Sequence, residues 1–377
     1  MAKNNNKKKG IVGPIILFVL ILLVSTLFMS FSFSPKSRSK NEKHEYVMKE
    51  VFKDKNPRIV EIAMLGAHDA FTHKLSFTSP ADSNDKNIVT SKVASIFAKG
   101  LAIRLSKSQN ASATQLLYSG VRYLDVRVTK INGVYYTSHL YLSDTLESYL
   151  KEVIDFLDTH KGEFVIFDIQ HFRTENGANG SLDEYEYDDL MNELSRVKGD
   201  SGKSLLDYIF YNSSTTYIAD LTYTMVTNNR QSGGVVLLTK AFETNYSYQR
   251  DTDASYKRNY YYTIRSFWHE NNSTKEMLEG IEKEYEYVKE QGYDDVLVVN
   301  QAQKTALLTS AKIIKSMFEW SLLDMANNFN AVLVKDEARF KRWLSEMPIF
   351  MVDNATSTKG KFNELANKYI LEYNSTL

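Results

Sequence analysis

Gly120-Val121-Arg122-Tyr123-Leu124-Asp125-Val126-Arg127-Val128 reads as one extended segment with its two later charges on a shared face. Side chains alternate along a strand, so Asp125 and Arg127 leave it on one side while Leu124, Val126 and Val128 leave it on the other. A short gap later, Val134-Tyr135-Tyr136-Thr137-Ser138 repeats the strand pattern and runs into His139. Too little chain separates the two runs for a helix, so the step from Tyr123 to Ser138 predicts a hairpin.

Similar short apolar runs recur on both sides. They are Ile59–Met64, Phe164–Ile169, Val235–Thr239, Tyr261–Ile264, Val296–Asn300 and Ile349–Val352, beside Tyr123–Val128 and Val134–Ser138. Continuous apolar runs of this length fit parallel strands covered on both faces. Between them lie segments with apolar spacing of three and four, which predict helices at Leu146–Leu157, Tyr185–Val197, Lys275–Lys289, Ala306–Phe318 and Phe362–Tyr373. Eight strands alternating with helices predict an α/β fold, a (β/α)8 barrel made irregular by the hairpin. The polar stretch Phe71–Asn110 has no strand pattern and reads as an insertion over the barrel mouth.

Ahead of the barrel, Met1–Lys9 carries four lysines and no acid, and Ile11–Met29 is uncharged and mainly apolar, extended by Phe31 and Phe33. About 20 such residues at 1.5 Å each span roughly 30 Å of bilayer, and flanking lysines stay on the inner side. The expectation is a basic cytoplasmic segment 1–10, an anchor 11–33, a linker 34–57 and a catalytic barrel 58–377 outside the membrane, or a secreted barrel if the apolar segment is cleaved. Lysine and arginine balance aspartate and glutamate at 46 each, which gives no field suited to nucleic acid. With no cysteine, thiol chemistry and thiolate metal sites are excluded.

The chain has only seven histidines. His68 follows the first strand after Leu65-Gly66-Ala67, read as a turn, and His139 follows its own strand in the same way. Strand ends of such barrels carry catalytic groups. Cleavage of a phosphodiester needs a base, an acid and a cation; two histidines suit the first two roles, and the cation could be a metal or an arginine. His171, and Arg265, Trp268 and His269 beyond the sixth strand, are candidates for the pocket wall, whereas His44, His73 and His160 read as solvated.

Ile62-Ala63-Met64-Leu65-Gly66-Ala67-His68-Asp69-Ala70 resembles the opening of the catalytic domain of phosphatidylinositol-specific phospholipases C. Gly120–Arg127 is similar to that family's second strand, Glu163–Asp168 to the next, and Pro348–Asp353 to the last. The resemblance implies that His68 is a general base oriented by Asp353, and His139 a general acid supported by Asp69. Arg127 would stabilise the phosphate, Asp125 would position its neighbours, and Lys240 would be a basic inositol contact. Asp125 and, from their place after the sixth strand, Arg265 and Trp268 are further candidates for substrate contact. The reaction implied is cleavage of a membrane phosphatidylinositol-type lipid to diacylglycerol and a cyclic inositol phosphate, with no cofactor and no metal, because metal-dependent relatives place acidic ligands where Arg127 stands. Ala67, Ala70 and Met64-Leu65 depart from the family pattern at the rim, which bears on substrate choice. Two rival readings are a metal-dependent glycerophosphodiester-type phosphodiesterase and a silent barrel that binds lipid or glycan.

Overall fold

The computed structural model describes residues 47–85, 99–100, 102–175, 184–210, 217–239, 264–305 and 321–377. Nine strands form one sheet: β1 (Met64–Ala67), β2 (Val121–Ile131), β3 (Val134–His139), β4 (Tyr141–Thr145), β5 (Phe164–Arg173), β6 (Gly234–Thr239), β7 (Ile264–Phe267), β8 (Leu297–Gln301) and β9 (Ile349–Val352). Seven of them, in the order β6-β5-β2-β1-β9-β8-β7, run parallel and curl into a TIM-like α/β barrel wall. Among the described residues β6 and β7 are not paired. The intervening residues 240–263, including Lys240 and most of the expected strand Tyr261–Ile264, lie outside them, as do the expected helix Ala306–Phe318, His44 and the apolar segment 11–33. No helix among the described residues is long and apolar enough to cross a membrane.

The first strand is displaced from its expected position. Ile59–Glu61 is a single 3-10 turn, and Leu65-Gly66-Ala67 is strand rather than turn. Gly66 permits this because a Cβ there would stand 3.1 Å from both the Met351 Cα and the Tyr123 ring, so β9 and β2 close tightly on β1. The hairpin is as expected, but it leaves the barrel wall. Asn132 and Gly133, both at positive φ, turn β2 into antiparallel β3, the geometry a two-residue hairpin demands. His139 therefore ends a strand that runs back toward the mouth, and is not on a barrel strand at all.

β5 shows why the wall is continuous: Phe164–Ile169 are all buried, with the barrel interior on one face and helices on the other. Thr145 caps the helix Leu146–Thr159 by accepting from Ser148 N, and that helix buries Leu146, Leu150, Val153, Ile154 and Leu157 against the sheet. The helices Glu184–Arg196, Thr274–Gln291 and Phe362–Asn374 match the expected ones within two residues, and Leu322–Leu333 and Glu337–Glu346 add to the outer layer.

At the closed pole, where the parallel strands begin, Arg122 and Glu163 form a buried ion pair, with Nε to Oε2 at 2.9 Å and Nη2 to Oε2 at 2.7 Å. Glu163 Oε1 also accepts from Met48 N at 2.6 Å. Residues 47–57, expected as linker, thus pack on the barrel: Met48–Val51 is helical, and Met48 and Phe52 are fully buried. Apolar side chains too short in sequence to show periodicity still cover this pole.

Candidate active site

Four pieces of chain meet at the open pole, where the parallel strands end. His68 and Asp69 follow β1, Asp125 and Arg127 come from β2, His139 ends β3, and Asp353 follows β9. His68 Nδ1 lies 2.7 Å from Asp353 Oδ1, and a carboxylate only accepts, so Nδ1 carries the proton. Arg127 Nη2 lies 3.0 Å from His68 Nε2 and can donate to it while the ring is neutral. Arg127 Nε pairs with Asp69 Oδ1, and Asp69 Oδ2 lies 3.0 Å from His139 Nδ1. The result is one connected series: Asp353, His68, Arg127, Asp69, His139. Asp125 supports it from beneath by accepting from Asp69 N at 3.1 Å, with Oδ2 3.8 Å from His68 Nε2.

The electrostatics follow from burying three carboxylates with three cationic groups. Burial pulls the His68 pKa down, but Asp69 and Asp353 outweigh it and push the ring up to about 9. Burial acts to raise Asp69, yet Arg127, His139 and His68 hold its carboxyl well below the usual carboxylate range. For Asp125 and Asp353 burial wins, and both are raised despite their cationic neighbours. Burial works against the Arg127 guanidinium, but Asp69, Asp125 and Asp353 keep it charged. Deeper in the barrel, burial pushes Asp168 up to about 7, although the Tyr123 hydroxyl and Gln170 donate to it.

His68, Asp69 and Asp125 offer three ligand atoms within 4.8 Å of one another, a grouping that could hold an ion. Arg127 already touches two of those residues, at Asp69 Oδ1 and His68 Nε2, so its guanidinium stands where a cation would bind.

Several residues outside the expected set also build the site, three from the polar stretch read as an insertion and one, Asn330, from the helix Leu322–Leu333. The Ser106 carbonyl accepts from His139 Nδ1 at 2.8 Å. Ser108 Oγ donates to Asp69 Oδ2 at 3.0 Å. Gln109, fully buried, donates to the His68 and Val352 carbonyls at 2.9 Å each, tying the base to the end of β9. Asn330 holds the Asp353 carbonyl at 2.8 Å.

Other expected contacts lie elsewhere. Arg265 turns outward to the helix Thr274–Gln291, where it donates to Glu284 from Nε at 2.8 Å and stacks on Tyr287. The neighbouring Ser266, bonded to Gln301, has the inward phase. Trp268 sits at the rim, 49% exposed, donating to Thr305 Oγ1 at 2.8 Å. His171 pairs in register with Arg127. His73 and His160, expected in solvent, are packed on aromatic rings: His73 against Tyr149, its pKa lowered by burial to about 4, and His160 stacked on Phe156. Burial likewise lowers His269 to about 4, beside Phe267.

No family model matches the chain. Variant-surface-glycoprotein phospholipase C of Trypanosoma brucei brucei is 37% identical over 126 residues, 30% of this chain and 35% of that protein. PI-PLC X domain-containing protein 3 of Mus musculus is 28% identical over 149 residues, 37% of this chain and 44% of that protein. The match thus spans less than half the length of either relative. In structure, a mutant phosphatidylinositol-specific phospholipase C from Staphylococcus aureus superposes with TM-score 0.56 at 15% identity, covering 88% of this chain and 99% of that one. The enzyme from Listeria monocytogenes does so with TM-score 0.52 at 15% identity, covering 87% and 99%. The chain is therefore a homologue of proteins named for the PI-PLC X domain, and its fold is the TIM-like barrel of the bacterial phosphatidylinositol-specific phospholipases C.

Proposed function

We propose that this chain is a phosphatidylinositol-specific phospholipase C, cleaving the lipid by acid–base catalysis to diacylglycerol and a cyclic inositol phosphate. One observation carries the reading: Asp69 bridges Arg127 and His139 while Arg127 reaches His68, so base, cation and acid form one bonded series. Relatives named for the PI-PLC X domain, beside one named a phospholipase C, support the substrate class.

In this mechanism the neutral His68 ring takes the proton of the inositol 2-hydroxyl at Nε2, and Asp353 steadies the imidazolium through Nδ1–H. The freed oxygen attacks phosphorus, forming one P–O bond as the bond to the glycerol oxygen breaks. His139, its Nδ1–H held by Asp69 and the Ser106 carbonyl, gives its Nε2 proton to that departing oxygen. Arg127, displaced from His68 Nε2 by substrate, presents its planar fork to the phosphate oxygens. Lys240 and Trp268 are proposed as headgroup contacts, and segment 11–33 as a membrane anchor with the barrel outside.

The test offers the full chain in detergent to mixed micelles of phosphatidylinositol or phosphatidylcholine, with excess chelator. Release of a cyclic inositol phosphate from the first alone is the expected result. Because His68, Asp69 and Asp125 group as ion ligands would, activity lost on chelation and restored by calcium would favour the metal-dependent reading. No turnover of any phosphodiester would leave a silent barrel.

A further inference from the structure

The corner that carries His139 is fastened from outside the catalytic series, and we propose that Asp82, paired with Arg173, is a positioning residue for the general acid. This inference rests on the acid–base reading above. Asp82 is fully buried in the polar stretch ahead of β2. Its Oδ2 accepts from Ser138 Oγ at 2.8 Å, and its backbone N donates to the Leu140 carbonyl at 2.9 Å. One residue therefore grips the chain immediately before and immediately after His139.

The other contacts complete a clamp. Asp82 Oδ1 accepts from Thr129 Oγ1 at 3.1 Å, two residues beyond Arg127 on the same face of β2. Asn84 N donates to the same oxygen at 3.0 Å. Arg173, at the end of β5, sets Nη1 3.6 Å from Asp82 Oδ2 and 3.4 Å from Ser138 Oγ, and Nη2 3.1 Å from Asp85 Oδ2. Leu140 needs the fastening, since it stands at φ +61, a left-handed conformation that a branched, bulky side chain disfavours. The ring contacts of His139 with Asp69 and Ser106 fix the direction of Nδ1 but not the backbone beneath it. A misplacement of about 1 Å in a reacting group can cost about a hundredfold in rate.

A leaving-group comparison separates positioning of the acid from general loss of structure. An alkyl inositol phosphate expels an alkoxide, which needs the His139 proton, whereas a p-nitrophenyl inositol phosphate expels a phenolate, which leaves without one. With the full chain in detergent, Asp82→Ala should lose about tenfold or more in kcat on the alkyl ester and less than about threefold on the aryl ester. His139→Ala sets the limit of that differential, and Ser138→Ala, which keeps the ion pair, should show it in smaller measure. Equal losses on the two esters, or no loss on either, would overturn the proposal. If Asp82→Ala does not fold, Asp82→Asn and Ser138→Ala decide the matter by the same comparison. A wild type that cleaves neither ester would instead refute the acid–base reading itself.

Discussion

Arg127 is held by Asp69 on one side and meets His68 on the other, so the cation and the base are built as a single unit. His68→Ala and His139→Ala should each lower kcat by about 10²–10⁴ with unchanged circular dichroism, the usual worth of an acid or base. Arg127→Lys should cost about 10²–10³ in kcat, because a point-charge ammonium cannot bond Asp69 and the phosphate together. Direct assay of the purified variants checks both. The pH dependence follows from the His68 environment. Only the neutral ring accepts a proton, and Asp69 and Asp353 push its pKa up to about 9, so on the p-nitrophenyl ester, whose leaving group needs no proton from His139, kcat/KM should rise with pH well beyond 6.5 and level off near 9. Asp353→Asn removes one of those carboxylates, and the rising limb should shift toward lower pH while the plateau falls. A limb that stays put would show that Asp353 does not set the charge state of His68. Strand ends and a two-residue alternation marked His68, His139 and Arg127, while Asp353 was marked only by the resemblance of Pro348–Asp353 to a family strand; the structure brings the four together. Ser106 was not legible, since it contributes a backbone carbonyl that any residue could offer. Arg265 misled by a single residue of phase: Ser266 faces inward and Arg265 does not.

Among the elements, the helices Leu146–Thr159, Glu184–Arg196, Thr274–Gln291 and Phe362–Asn374 were read within two residues, Leu322–Leu333 and Glu337–Glu346 were not read although both carry a side-chain cap, and β1 was read several residues early. Ile59-Val60 is as apolar as a strand, but its burial serves a 3-10 turn at the closed pole. Periodicity over so few residues cannot tell those uses apart. The hairpin was visible as a hairpin, yet its departure from the wall was not, because only the pairing of Val128 with Thr137 shows where β3 returns. The strand starts at the closed pole depend on the Arg122–Glu163 pair, which also secures two carbonyls through Arg122 Nη1. Arg122→Met leaves Glu163 charged and buried without its partner. Removing one member of such a pair typically costs about 3–5 kcal/mol, to be read by denaturant unfolding. Activity per folded molecule should be unaltered, since the pair lies at the opposite end of the strands from His68. A loss in specific activity matching the loss in stability would refute that separation.

For the whole molecule, the two poles divide the labour. One holds the acid–base series, and the other receives Met48 and Phe52. Deleting Met1–Ser34 should leave kcat/KM toward a dissolved inositol phosphate ester unchanged, because the removed residues precede every described residue that packs on the barrel. Cleavage of lipid in vesicles should fall in the same variant if the segment serves as an anchor. A truncated chain that is unfolded by circular dichroism would make the apolar segment part of the fold. The seating of Met48 on Glu163 has a mechanical consequence. Whatever is attached upstream, a membrane leash or an engineered tag, pulls on the blind end of the barrel. Its load passes into a buried ion pair at the far end from the acid and the base, so the molecule can be held by its tail while its mouth works undisturbed.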